Sequence, residues 1–132
     1  MIILRRNSTN EIVLEYPNTA GWGKFQWSPS WGEINFHAFD MPSVEFHNEL
    51  FGYLQEKNAL NTIAAVDGYL VAQGVPQTKQ WIRESVGVAH APQPATLPYY
   101  VRNSIHHPEN LHNPRYTESE LKHSIELMLP LA

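Results

Sequence analysis

The sequence predicts an α+β fold in one domain, with a small β-rich front over residues 1–40 and a helical body over residues 41–132. Three observations predict it. Short β-prone runs at residues 2–6 and 11–16 flank Asn7-Ser8-Thr9-Asn10, a run of turn formers. After Asp40 the apolar residues take up three- and four-residue spacing, the period of a helix with one buried face. Near the C-terminus Thr117-Glu118-Ser119-Glu120 is a capping box, the signature of a helix start.

Taken in order, the first hairpin is followed by a second strand pair, predicted at residues 24–27 and 33–39 around Ser28-Pro29-Ser30. Trp22, Phe25, Trp27 and Trp31 crowd this front, which reads as core, with a base-stacking surface as the alternative. Asp40 is placed to cap the first helix, with Pro42 in its first turn and Val44, His47, Leu50, Phe51 and Leu54 on one face. Leu60, Ile63, Ala64, Leu70 and Val71 mark a second helix that ends at Gly74-Val75-Pro76. A third is predicted over residues 76–86, with Trp81, Ile82 and Ser85 on one side, followed by a loop at 87–96 rich in Pro and small residues. Pro98 suits the first turn of a fourth helix that runs to about His106. The fifth opens at Thr117 and turns Leu121, Ile125, Met128 and Leu129 to the core.

Composition narrows the function. With 42% hydrophobic and 17% charged residues, the 132-residue chain reads as globular rather than disordered. The absence of cysteine excludes disulfides and thiolate metal sites. The longest apolar stretch, around residues 63–71, is broken by Asp67 and Gly68, so no membrane span is expected, and the apolar start is too short for a signal peptide. A soluble cytoplasmic protein is the expectation. A net charge of −4 argues against broad coating of nucleic acid, which needs a basic face. Charge is uneven, however. Residues 1–75 hold four Lys/Arg against eight acids, whereas residues 76–132 hold five of each and five of the seven histidines. An anion-binding surface is therefore expected in the C-terminal part.

The chemistry concentrates in Arg102-Asn103-Ser104-Ile105-His106-His107-Pro108-Glu109-Asn110. A permanent cation, an amide and two imidazoles within nine residues can hold a phosphate and move a proton beside it near neutral pH. On a continuous helix His106, about 400° past Arg102, would sit beside it, and His107 would point away. Pro108 disfavours helical geometry at the preceding residue, and a break there would let His107 fold back toward Arg102. Residue spacing alone leaves both histidines open.

This segment resembles the signature of the HEPN family (higher eukaryotes and prokaryotes nucleotide-binding domain), an Arg followed after four to six residues by a His, often with a polar residue after the Arg. Arg102 and His107 match with four residues between them, and Asn103 takes the polar position. Arg83 and His90, with six between, satisfy the spacing too, but without the adjacent Asn or the placement on a helix before a second capped helix. The resemblance covers at most residues 41–132 and implies a helical bundle. It also implies a metal-independent ribonuclease without a cofactor, working in a toxin–antitoxin or anti-phage defence system. There the active site forms where two copies of the motif meet in a homodimer, and an antitoxin, a nucleotidyltransferase or an ATPase is a frequent partner. The resemblance selects His107 as the proton-transfer group, Arg102 as the phosphate clamp and Asn103 as an orienting amide.

Other readings of the same residues stay open. His106 and His107 suit a helix C-terminus simply as cations on the helix dipole. A metal site could draw on His106, His107, Glu109 and His112, although no His-Glu-x-x-His motif is present. Ser104 lacks a nucleophile elbow and an evident Asp partner. Arg115 and Lys122 read as solvated residues that could add phosphate contacts. The rival function is a noncatalytic subunit that binds a nucleotide or a partner protein, with Arg102 holding phosphate without turnover.

Overall fold

A computed structural model describes residues 30–132 and, for the backbone alone, residues 3–6 and 12–15. Strands β1 (Ile3–Arg6) and β2 (Ile12–Glu15) pair antiparallel, Ile3 opposite Glu15 and Arg6 opposite Ile12. This is the predicted first hairpin. The predicted strand at 24–27, with Trp22, Phe25 and Trp27, lies outside the described residues, as does the turn at 7–10.

Residues 33–39 depart from expectation. They belong to helix α1 (Trp31–Phe39) instead of a strand. The cause is a second capping box, in which the Ser30 hydroxyl accepts from the Glu33 N–H while the Glu33 carboxylate accepts from the Ser30 N–H. Trp31 is 77% exposed, so it is not the core residue expected of the aromatic front. Asp40 also changes role. It ends α1 in the left-handed region, φ 54°, with its N–H turned back to Phe36 O at 3.1 Å. Ser43 is what caps the next helix, α2 (Val44–Lys57), by accepting the Phe46 N–H at 3.1 Å. Gly32 brings α1 onto α2, for a Cβ there would stand 2.7 Å from the Phe46 Cβ.

α2, α3 (Ile63–Ala72), α4 (Leu97–His106) and α5 (Glu118–Met128) form the bundle, and a 3₁₀ turn at Leu129–Leu131 follows. Their shared core is built at helical spacing. Phe46, Leu50 and Leu54 of α2, Val66 and Leu70 of α3, Val101 of α4, and Ile125 and Met128 of α5 are all completely buried. Full burial of each large apolar side chain contributes roughly 1.5–3 kcal/mol. With α1, the described residues form five α-helices beside a small antiparallel component, an α+β fold.

The helix predicted over 76–86 is absent. The chain instead leaves the bundle as a β excursion, in which β3 (Lys79–Trp81) pairs antiparallel with β6 (Gln93–Ala95), and β4 (Glu84–Ser85) pairs with β5 (Val88–Ala89). Residues 87–96, expected as a loop, supply the two return strands. The pairing partners lie across the turn, where a periodicity reading of 76–86 does not look. Val86 and Gly87 make that turn with φ 51° and 75°, the positive-φ pair a two-residue hairpin needs.

Candidate functional site

The site grows from the start of α4. Buried Asp67 of α3 accepts the Thr96 N–H at 2.9 Å and the Thr96 hydroxyl at 2.7 Å, and Gln77 Nε2 at 3.1 Å. Thr96 in turn caps α4 by accepting from the Tyr99 N–H, and Pro98 fits the first turn. Asp67 thus ties the end of β6 to the first turn of α4. Leu97 and Val101 bury against the bundle, which fixes the rotation of the helix and leaves Arg102 half-buried at its side.

The other end of α4 explains the histidine pair. The helix stops at His106, and His107 is its C-cap at φ −127°, ψ 62°, a non-helical backbone, with its N–H on Asn103 O at 2.9 Å. The break before Pro108 was legible in the sequence, and it separates two neighbouring imidazoles. His107 lines an open cavity of about 970 Å³ together with Arg102 and Asn103. His106 does not line it. It lies within the electrostatic reach of buried His47, and its own pKa is held below the ordinary imidazole value by desolvation, then by the charges of Arg102 and His107. Of the residues singled out from sequence, Arg102, Asn103 and His107 come together, and His106 faces elsewhere.

Local contacts set their chemistry. Asn103 is buried, and its side-chain oxygen accepts from Arg102 Nη1 at 3.5 Å, a long contact. The Arg102 guanidinium carbon stands 6.0 Å from the centre of the Phe51 ring. Desolvation draws its pKa down, while Tyr99 acts the other way. An arginine so shifted remains a cation at neutral pH. His107 Nδ1 lies 3.2 Å from Glu109 Oε1, which leaves Nε2 as the nitrogen for proton exchange. The Glu109 carboxyl is held below the usual carboxylate range by a backbone hydrogen bond and then by His107.

The β excursion contributes a second Arg–His pair to the lining of the cavity. Arg83 and His90 face each other one step beyond the β4–β5 pairs, the His90 N–H on Arg83 O at 2.8 Å, and both line the cavity. Both Arg–His pairs that satisfy the spacing therefore meet around one space. The β excursion is held there by side chains with little sequence signature. Asn113 donates to Ile82 O at 2.9 Å and accepts the Ile82 N–H at 2.8 Å, as a strand partner would, and Asn110 donates to the same carbonyl at 2.8 Å. Trp81 of β3 packs edge-on against Tyr100 of α4, ring centres 5.5 Å apart, and the Tyr100 hydroxyl donates to Pro114 O. Lys79 binds Glu120 of α5 at 2.7 Å.

The remaining candidates disperse. Among the described residues no three His, Asp or Glu side chains are grouped so as to hold a metal ion, so His106, His107, Glu109 and His112 do not form a shared cluster. His112 lies instead 3.9 Å from Glu84. Ser104 does not line the cavity, and neither does Arg115, whose guanidinium lies over its neighbour Tyr116. Lys122 pairs with Asp40 at 2.9 Å, which raises its pKa. No helix among the described residues is long and apolar enough to cross a membrane. No protein-family model, curated protein or solved structure matches the chain.

Proposed function

We propose that the cavity is the active site of a metal-independent endoribonuclease of the HEPN type. The observation that carries this reading is the end of α4 at His106, which accompanies a cavity wall shared by Arg102, Asn103 and His107. The ribose 2′-oxygen attacks the adjacent phosphorus and the bond from phosphorus to the 5′-oxygen breaks, leaving a 2′,3′-cyclic phosphate and a free 5′-hydroxyl. His107 accepts the 2′-hydroxyl proton at Nε2, with Glu109 orienting the ring through Nδ1. Arg102 binds the phosphate oxygens as they gain charge, which a planar and permanently charged guanidinium does well. Asn103 orients one of them.

The leaving 5′-oxygen needs a proton from a second group. The family resemblance supplies it from a second copy of the chain, in a homodimer with the two Arg102 side chains facing a shared cleft. The same resemblance suggests a toxin–antitoxin or anti-phage setting. The experiment is cleavage of single-stranded RNA by purified protein with a chelator present. Cyclic-phosphate ends that disappear in Arg102→Ala support the reading. No cleavage, or cleavage abolished by the chelator, removes it.

The noncatalytic reading has its own observation. Tyr99 lines the cavity beside Arg102, so a base could stack there while its phosphate is held without turnover. Nucleotide binding with no product formed would favour it.

A further inference from the structure

Arg83 and His90 are 19 and 17 residues upstream of Arg102 and His107 respectively, on a different kind of element, yet all four line one cavity. We infer that the β4–β5 hairpin is the second wall of a phosphodiester-binding site. Arg83 holds the phosphate together with Arg102, and His90, in place of a group from a second copy of the chain, exchanges the second proton within the same chain. This inference rests on the ribonuclease reading for its chemistry and on the cavity alone for its binding.

Three features of the hairpin support it. The first is placement. Two arginines bracket a phosphate from two sides only if both are held on the same space, and Arg102 is fixed by the buried face of α4. The backbone leading into Arg83 is anchored by the three Asn110 and Asn113 bonds to Ile82, the residue before it. The second is charge. The cavity holds two carboxylates, Glu84 and Glu109, and each has an imidazole at its side: His112 at 3.9 Å and His107 at 3.2 Å. Arg83 has no carboxylate within salt-bridge distance among the described residues, and neither has Arg102. Two guanidinium groups on one cavity, neither paired with a carboxylate among the described residues, suit a singly charged phosphodiester. The third is the turn. Val86 is wholly exposed at φ 51°, where a β-branched side chain is strained. Residue 86 itself lines the cavity, and backbone held at unfavourable angles recurs at ligand-binding sites.

The proton account closes with His90 included. His107 takes the proton of the 2′-hydroxyl as the new bond to phosphorus forms. His90, entering as imidazolium, gives a proton to the 5′-oxygen as the old bond breaks. The pair ends with its protons exchanged, and solvent resets it. The charged and titratable groups that share the cavity with His90 are Arg83 on its own hairpin, Glu84, Arg102, His107 and Glu109, and His112 lies against Glu84.

Two measurements test the inference on the full chain. Binding is read with a dinucleotide whose ribose lacks the 2′-hydroxyl, which cannot be cleaved. Arg83→Ala and Arg102→Ala should each weaken it about tenfold or more, the loss of a charge-assisted contact. His123→Gln, on the exposed side of α5, should leave it unchanged. Cleavage is then read with His90→Gln, which should lower kcat by about 10²-fold or more with KM little changed, and flatten one limb of the pH–rate profile. Arg83→Ala that binds like wild type overturns the second wall. His90→Gln that cleaves like wild type overturns the single-chain proton pair and leaves the ribonuclease reading standing. If wild type cleaves nothing, that reading fails, and the Arg83→Ala binding result alone decides the two-walled site.

Discussion

Arg102 and His107 stand on a helix whose far side is buried in the bundle, whereas Arg83 and His90 stand on an exposed hairpin anchored chiefly through the backbone of Ile82. On α4, the position of Arg102 follows from the complete burial of Val101 and the Asp67–Thr96 bonds that fix the first turn. On the hairpin, Val86 and Val88 are exposed, and the position of Arg83 follows from hydrogen bonds to Ile82. One wall is held by desolvated packing and the other by a few polar contacts. The lesson is that similar side chains can meet at one site with very different local stability behind them.

The largest expected effect breaks or sharpens the assignment of the helical wall. His107→Ala should cost about 10²–10⁴ in cleavage rate with folding retained, and Arg102→Ala should cost as much. The double variant should be little worse than either, since both act on one transition state. His106→Ala should cost far less, and single-turnover rates on one RNA measure all four. A larger loss for His106 than for His107 would reverse the reading of the helix break.

Acid should attack the helical body first. His47 is fully buried, bonded through Nε2 to Ser124 Oγ at 2.7 Å, and stacked on Phe51. Desolvation, followed by the nearby His106, pushes its pKa down to about 3. The unfolded chain therefore binds more protons between pH 6.5 and about 3, so folding stability rises with pH across that window. It should be complete above pH 6.5 and fall by about 1.4 kcal/mol per unit below it, flattening near pH 3. Denaturant unfolding at a series of pH values reads this slope, and His47→Phe should remove most of it.

Asn113→Ala should cost about 2 kcal/mol locally, from two lost hydrogen bonds and the Ile82 groups left without them. Hydrogen exchange should quicken across residues 79–95 while α2 and α5 stay protected. Equal loosening of both regions would show that the two walls unfold as one unit. The smallest effect is at the turn. Val86→Gly relieves a positive φ in a wholly exposed residue, and should stabilise the excursion or leave it neutral, within about 1 kcal/mol, by thermal unfolding.

The sequence by itself determined the N-terminal hairpin, the helices at 44–57, 63–72, 97–106 and 118–128 to within a few residues, and the break before Pro108. Each depends on local rules: apolar spacing, a capping hydroxyl, a proline that restricts its neighbour. Its apolar pattern also predicts four or five helices, and the fifth is α1 rather than a helix over 76–86. Ser30-x-x-Glu33 is a capping box readable in the sequence, and it outweighs the strand expectation over residues 33–39, a contest between two local signals. The error at 76–86 was of another kind. Trp81 becomes a strand residue because Gln93 pairs with it and Tyr100 covers it, partners 12 and 19 residues away. No window along the chain contains that information. The meeting of Arg83 and His90 with Arg102 and His107 is likewise a tertiary result. It depends on Asn110 and Asn113 reaching back 28 and 31 residues to satisfy one backbone amide and carbonyl. Buried backbone groups need partners, and only the folded chain decides which side chains supply them.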